Sequence, residues 1–130
     1  MEFELSRETI ALKNMCREFC SKYVVEQAEH WSETGEIPAE IFRRMGDLGL
    51  MGMLVEEKYG GSGGTHVDYV AAMEEIGAGD QSLAAAWNAH STIATMPLVL
   101  FGSDEQKERW LSLDPPMVGG LKLCGSSGVG

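Results

Sequence analysis

Gln81-Ser82-Leu83-Ala84-Ala85-Ala86-Trp87-Asn88-Ala89-His90-Ser91-Thr92-Ile93-Ala94-Thr95-Met96-Pro97-Leu98-Val99-Leu100-Phe101-Gly102-Ser103 is the longest stretch of the chain without a charged side chain. It is long enough to cross a bilayer, yet it carries Gln81, Asn88, His90, Ser91, Thr92 and Pro97 and has no flanking Lys or Arg. The stretch therefore reads as a helix buried inside a helical protein, neutral on every face and expected to be surrounded by protein. Ala84, Ala85, Ala86, Ala89 and Ala94 are small enough to let a neighbouring helix or a slender ligand reach the backbone, and Trp87 and Ile93 supply bulk. Pro97 disfavours a helical Met96 and is expected to restart the chain as a short apolar helix, Leu98-Val99-Leu100-Phe101, closed by Gly102.

Working outward, Asp80 is placed to cap this helix, and Ser103-Asp104-Glu105-Gln106 is a capping box that opens another, running through Trp110. Upstream, Ser6 caps a first helix with Leu5 and Ile10 as its hydrophobic staple. Leu12, Met15, Cys16, Phe19, Cys20 and Tyr23 form its apolar face, and it is expected to run to about residue 29. Ser32-Glu33-Thr34-Gly35-Glu36 reads as a loop, and Pro38 suits the first turn of a second helix carrying Ile41, Phe42, Met45 and Leu48. Leu50-Met51-Gly52-Met53-Leu54-Val55 reads as a buried connector, and Tyr59-Gly60-Gly61-Ser62-Gly63-Gly64 as a loop. Thr65 with Asp68 then starts a helix whose core side is marked by Val70, Met73 and Ile76. The expected fold class is all-α, a bundle of about five or six helices. It spans residues 1–113, with an irregular tail over 114–130.

The chain has 130 residues, 44% of them hydrophobic, enough for a folded core and too few for most complete multidomain enzymes. Twenty acidic against ten basic side chains give a net charge of −10, which repels phosphate backbones and anionic lipid; nucleic acid and membrane are not expected partners. Cys16, Cys20 and Cys124 are odd in number, and the acidic start Met1-Glu2-Phe3-Glu4 has no apolar leader, so a cytoplasmic location is expected.

The candidate chemistry outside the neutral helix is thin. The glycine loop lacks the Lys of a phosphate-binding motif and follows Glu56-Glu57, so it reads as a structural turn. Cys16 and Cys20 fall on an apolar helix face without further ligands at suitable spacing; they read as buried thiols, and no metal is expected. His30, His66 and His90 are scattered, His90 being expected as a hydrogen-bonded core histidine or a cavity residue. Glu74 and Glu75 read as solvated charge, and no acid/base dyad is visible.

Several pieces in order resemble the amino-terminal helical domain of acyl-CoA dehydrogenases. They are Phe3-Glu4-Leu5-Ser6, Gly35-Glu36-Ile37-Pro38, Leu48-Gly49-Leu50-Met51-Gly52, Glu56-Glu57-Lys58-Tyr59-Gly60-Gly61-Ser62-Gly63, Met73-Glu74-Glu75-Ile76 and Phe101-Gly102-Ser103-Asp104-Glu105-Gln106-Lys107-Glu108-Arg109-Trp110-Leu111. The resemblance covers about residues 2–113. It implies part of an FAD-dependent enzyme that oxidises the Cα–Cβ bond of an acyl-CoA to the trans-2-enoyl-CoA, with an electron-transfer flavoprotein as acceptor and a homodimer or homotetramer as the assembly. A eukaryotic member would sit in the mitochondrial matrix. By position relative to Met96-Pro97-Leu98, the resemblance assigns Ala85, Ala86, Ala89, His90 and Ile93 to one wall of the acyl pocket. It assigns no catalytic residue to this chain, because the family's base and most of its flavin site lie in later domains.

The tail Pro115-Pro116-Met117 to Cys124-Gly125-Ser126-Ser127-Gly128 departs from the family's flavin-binding segment and is given no flavin contact. The chain alone is expected to be colourless and inactive. Its neutral face around residues 85–100 should be partly exposed where later domains would cover it. The sequence also fits two other readings: a flavin monooxygenase or nitroalkane oxidase on the same scaffold, and a non-catalytic helical binding module.

Overall fold

The computed structural model describes residues 3–111; the tail over 114–130 and Cys124 lie outside them. The described residues are helical with irregular connections and fall into two compact units, 3–37 with 66–85 and 38–65 with 86–111.

In the first unit, α1 (Arg7–Tyr23) starts at Ser6, whose hydroxyl accepts the Thr9 N–H at 3.1 Å. Cys16, Phe19 and Cys20 are its buried stripe. The helix stops earlier than the expected residue 29. The N–H groups of Val24 and Val25 both donate to the Cys20 carbonyl at 3.0 Å, so the regular ladder ends there. Val24 is buried and Val25 exposed. A separate helix α2 (Ala28–Thr34) follows, so residues 32–34, expected as loop, are helical. Trp31 anchors that helix in the core, and Gly35 ends it at φ 73°, a left-handed conformation natural to glycine.

Helix α4 (His66–Gly79) packs on α1. Tyr69, Ala72 and Ile76, at i, i+3 and i+7, face inward together with Ala71. Val70, expected on the core side, is 57% exposed, because it sits one step around the helix from that stripe. A methyl group at Gly79 would lie 2.8 Å from the Cys20 Sγ, so the absence of a side chain there permits the close approach of α4 to α1. The expected cap of the neutral helix is present: Asp80 Oδ1 accepts the Leu83 N–H at 2.7 Å as α5 (Gln81–Asn88) begins.

In the second unit, α3 (Ala39–Asp47) opens with Pro38 as its N-cap and buries Ile41 and Met45. The connector Leu50, Met51, Met53 and Val55 is buried as its apolar composition requires. A 3₁₀ turn (Glu57–Tyr59) leads into the glycine loop. The end of α5 passes without a break into a π-helix (Ala89–Thr95), then α6 (Met96–Phe101) and α7 (Asp104–Leu111). The Ser103 capping box is reciprocal: Ser103 Oγ accepts the Gln106 N–H at 3.2 Å and Gln106 Oε1 accepts the Ser103 N–H at 3.0 Å. Val55, Tyr59 and Leu111 form a buried cluster with Leu98 and Val99 packed against it.

Two expectations for the neutral stretch change. Met96 is helical, at φ −58° and ψ −39°, despite the following proline. The π turn is the reason: Met96 donates to the Ser91 carbonyl five residues back, and the widened turn relieves the crowding that a proline ring imposes on an α-helix. The stretch is also not enclosed on all sides, since Ile93, Leu100 and Phe101 are 71%, 61% and 85% exposed.

Candidate functional site

From residue 86 on, where it belongs to the second unit, the neutral stretch has two distinct sides. On the inner side Trp87 is fully buried, and its indole Nε1 donates to the Leu50 carbonyl at 3.0 Å. One turn on, His90 is 2% exposed and its Nε2 donates to the Met51 carbonyl at 2.9 Å. Two adjacent carbonyls of the connector thus hold two ring N–H groups of one helix. The bond fixes the His90 tautomer, with hydrogen on Nε2 and a bare Nδ1. Burial pushes the His90 pKa below its ordinary value, against a smaller upward pull from the Met51 carbonyl, and the ring is neutral near pH 7. His90 Nδ1 and Ser91 Oγ are buried without a hydrogen-bond partner among the described residues.

The outer side is formed by Ala86 and Ala89, both half-buried, and Ile93, which is exposed. Ala85 is exposed on the same helix as the last residue of the first unit. Of the five residues singled out from the sequence, the structure therefore brings Ala86, Ala89 and Ile93 to an open or half-open side. His90 points into the core against Met51. Sequence reasoning missed Thr95, which is 2% exposed and donates from Oγ1 to the His90 carbonyl at 2.8 Å. A threonine two positions before a proline was the available signal.

The glycine loop has no N–H groups to offer an anion. Those of Gly61, Ser62, Gly63 and Gly64 donate to the carbonyls of Glu56, Gly52, Val55 and Met53 at 2.7–3.2 Å. A side chain at Gly61 would run into the Val55 carbonyl, so the loop folds directly against the connector. The glycine loop is therefore a structural turn and not a phosphate cradle.

The remaining candidates are structural. Cys16 and Cys20 are buried free thiols whose pKa values desolvation pushes up to about 12 and about 11, away from nucleophilic or metal-binding chemistry. Both Glu74 and Glu75 pair with α1; Glu74 stays solvated as expected, with its side chain 64% exposed, whereas the Glu75 side chain is only 12% exposed. Arg17 grips Glu75 with two bonds of 2.8 and 3.0 Å, and Lys13 reaches Glu74 at 3.0 Å and Glu75 at 3.6 Å. The hydrogen bonds from Arg17 hold the Glu75 carboxyl below its ordinary pKa. Among the described residues no three His, Cys, Asp or Glu side chains are grouped as a metal site would need, and no helix is long and apolar enough to cross a membrane.

Comparison with known proteins agrees with this architecture. The family profile described as acyl-CoA dehydrogenase, N-terminal domain, matches residues 6–120. A probable acyl-CoA dehydrogenase of Bacillus subtilis, YngJ, is 40% identical over 129 residues, which is 99% of this chain and 33% of that protein. The butyryl-CoA dehydrogenase structure from Megasphaera elsdenii superposes with a TM-score of 0.80 at 26% identity, over 99% of this chain and 32% of the other. An acyl-CoA dehydrogenase of Bacillus anthracis, solved in complex with FAD, superposes with a TM-score of 0.78 at 30% identity, over 85% of this chain and 19% of the other. The chain spans about a third of the length of its curated relatives. With a profile match over most of its length and helices that superpose on those of the solved enzymes, the chain belongs to the acyl-CoA dehydrogenase family, as its amino-terminal helical domain.

Proposed function

We propose that this chain serves as the amino-terminal domain of an FAD-dependent acyl-CoA dehydrogenase that oxidises the Cα–Cβ bond of an acyl-CoA to the trans-2-enoyl-CoA. The open side of the neutral helix would form one wall of the acyl pocket. The observation that carries the reading is the sidedness of that helix: Ala86, Ala89 and Ile93 are half-open or open, while Trp87 and His90 lock the opposite side to the Leu50 and Met51 carbonyls. A wall for an apolar chain needs small or aliphatic side chains on a rigid support, and both are present. Ala85 joins the wall on the resemblance alone. His90 contributes from behind, as the neutral ring that fixes the helix.

The domain's share of the reaction is to bind and orient the acyl group and to keep water from it. FAD would supply the hydride acceptor when bound in the whole enzyme. The chain by itself should be colourless and inactive, because the resemblance puts the base and much of the flavin site in later domains. Acyl-CoA is the substrate, an electron-transfer flavoprotein the acceptor, and a homodimer or homotetramer the working assembly of the whole enzyme. The compartment is cytoplasmic, or the mitochondrial matrix in a eukaryote.

The test is a chimera in which residues 3–111 of this chain replace the matched segment of the B. subtilis relative, assayed with acyl-CoAs of graded length. Ala89→Leu should narrow the wall and lower kcat/KM for long or branched acyl groups relative to short ones by about tenfold or more, the effect of misfitting a few methylenes. An unchanged length profile would contradict the wall assignment.

A further inference from the structure

We infer that Thr95 is a positioning residue: its hydroxyl holds residues 89–95 in the π register, and that register turns Ile93 outward onto the acyl wall. The inference rests on the acyl-wall reading and adds to it a residue that touches no ligand.

Two threonines of the π segment reach back by different distances. Thr92 Oγ1 donates to the Asn88 carbonyl four residues back at 2.8 Å, the ordinary reach of a threonine in an α-helix. Thr95 Oγ1 donates to the His90 carbonyl five residues back, also at 2.8 Å, and is buried where water does not compete. The Met96 N–H likewise reaches five back, to Ser91. A π turn is rare and needs local support. Pro97 disfavours the α register, since it has no N–H and its ring would crowd the Ile93 carbonyl. Thr95 favours the π register, since its hydroxyl bonds a carbonyl that only the wider turn brings within reach.

The register has a consequence for the wall. A π turn takes up more residues than an α turn, so side chains beyond Asn88 fall progressively behind the α-helical phase, by about a quarter turn at Ile93. Burial follows the π phase. Continuing the α period from Trp87 would bring Ala94 inward at i+7, but Ala94 is half-buried, Thr95 is buried and Ile93 stands 71% exposed, facing away from the core. Return to the α register would swing Ile93 toward the edge of the open side and change the depth of the wall beside Ala89.

Two readouts test this. In the isotope-labelled 130-residue chain, the through-hydrogen-bond NMR coupling of the Met96 N–H should run to the Ser91 carbonyl, and to the Thr92 carbonyl or to neither in Thr95→Val. Thr95→Ser, which keeps the hydroxyl, should restore the coupling to Ser91. A wild-type coupling to Thr92, or an unaltered coupling in Thr95→Val, overturns the inference. In the chimera, Thr95→Val should change the ratio of kcat/KM between long and short acyl-CoAs about tenfold, with Thr95→Ser within about twofold of wild type. An active chimera whose ratio is the same in all three proteins overturns the positioning role alone. A chimera inactive with every acyl-CoA overturns the acyl-wall reading and this role with it, whatever register the coupling reports.

Discussion

The indole of Trp87 and the main-chain carbonyl of Leu50 are joined by a 3.0 Å hydrogen bond inside the core of the second unit. The donor is fully buried, so water cannot replace it. Trp87→Phe keeps a ring but leaves the Leu50 carbonyl without this partner, and should destabilise the chain by about 1–3 kcal/mol. Trp87→Ala, which adds a cavity, should cost about 3–5 kcal/mol. Urea unfolding followed by circular dichroism checks both. Equal stability of Trp87→Phe and wild type would show that the bond does not hold the connector.

The ion pairs between α1 and α4 make stability depend on acid. Glu75 has a folded pKa below its ordinary value of 4.5, chiefly through its hydrogen bonds from Arg17. Its contribution is therefore complete above about pH 4.5 and is lost as the pH falls through the lower, folded value. Glu75→Gln should unfold at lower urea than wild type at pH 7, and the two proteins should converge toward pH 3. A gap in midpoints that stays constant across that range would contradict the linkage.

The buried thiols should be inert while the chain is folded. With pKa values near 12 and 11, Cys16 and Cys20 carry almost no thiolate at pH 8. Mass spectrometry after brief iodoacetamide treatment should find neither residue alkylated in native chain and both alkylated in urea. Rapid native modification of either residue would mean that the α1–α4 interface opens readily.

Much of this architecture was legible in the sequence, because its signals are local. Ser6, Asp80 and Ser103 each cap the helix they precede, since a short polar side chain there meets an N–H that nothing else can satisfy. The connector 50–55 declared its burial by composition. What escaped depended on geometry beyond one helical period. The break at Val24 follows from two N–H groups sharing the Cys20 carbonyl, and the outward Val70 from Tyr69 taking the inward position. Glu75 read as solvated charge because its partners on α1 are about sixty residues away.

At the candidate site the small residues could be read, but not their sidedness. Ala89 and His90 are neighbours in sequence, yet one is half-open and the other is bound to Met51. The π turn that sets this phase has no simple compositional mark. Its trace is the combination of Thr95 with Pro97, which becomes informative only once the hydroxyl is seen to reach five residues back.

The most direct measurement of the central claim is acyl-CoA-dependent reduction of an electron-accepting dye by the purified chimera of residues 3–111 with the B. subtilis relative, alongside the 130-residue chain alone. The chimera should be yellow and reduce dye with acyl-CoAs, and the chain alone should be colourless and should not. A flavin-loaded chimera with no activity toward acyl-CoAs of any length, or dye reduction by the isolated chain, would contradict the claim.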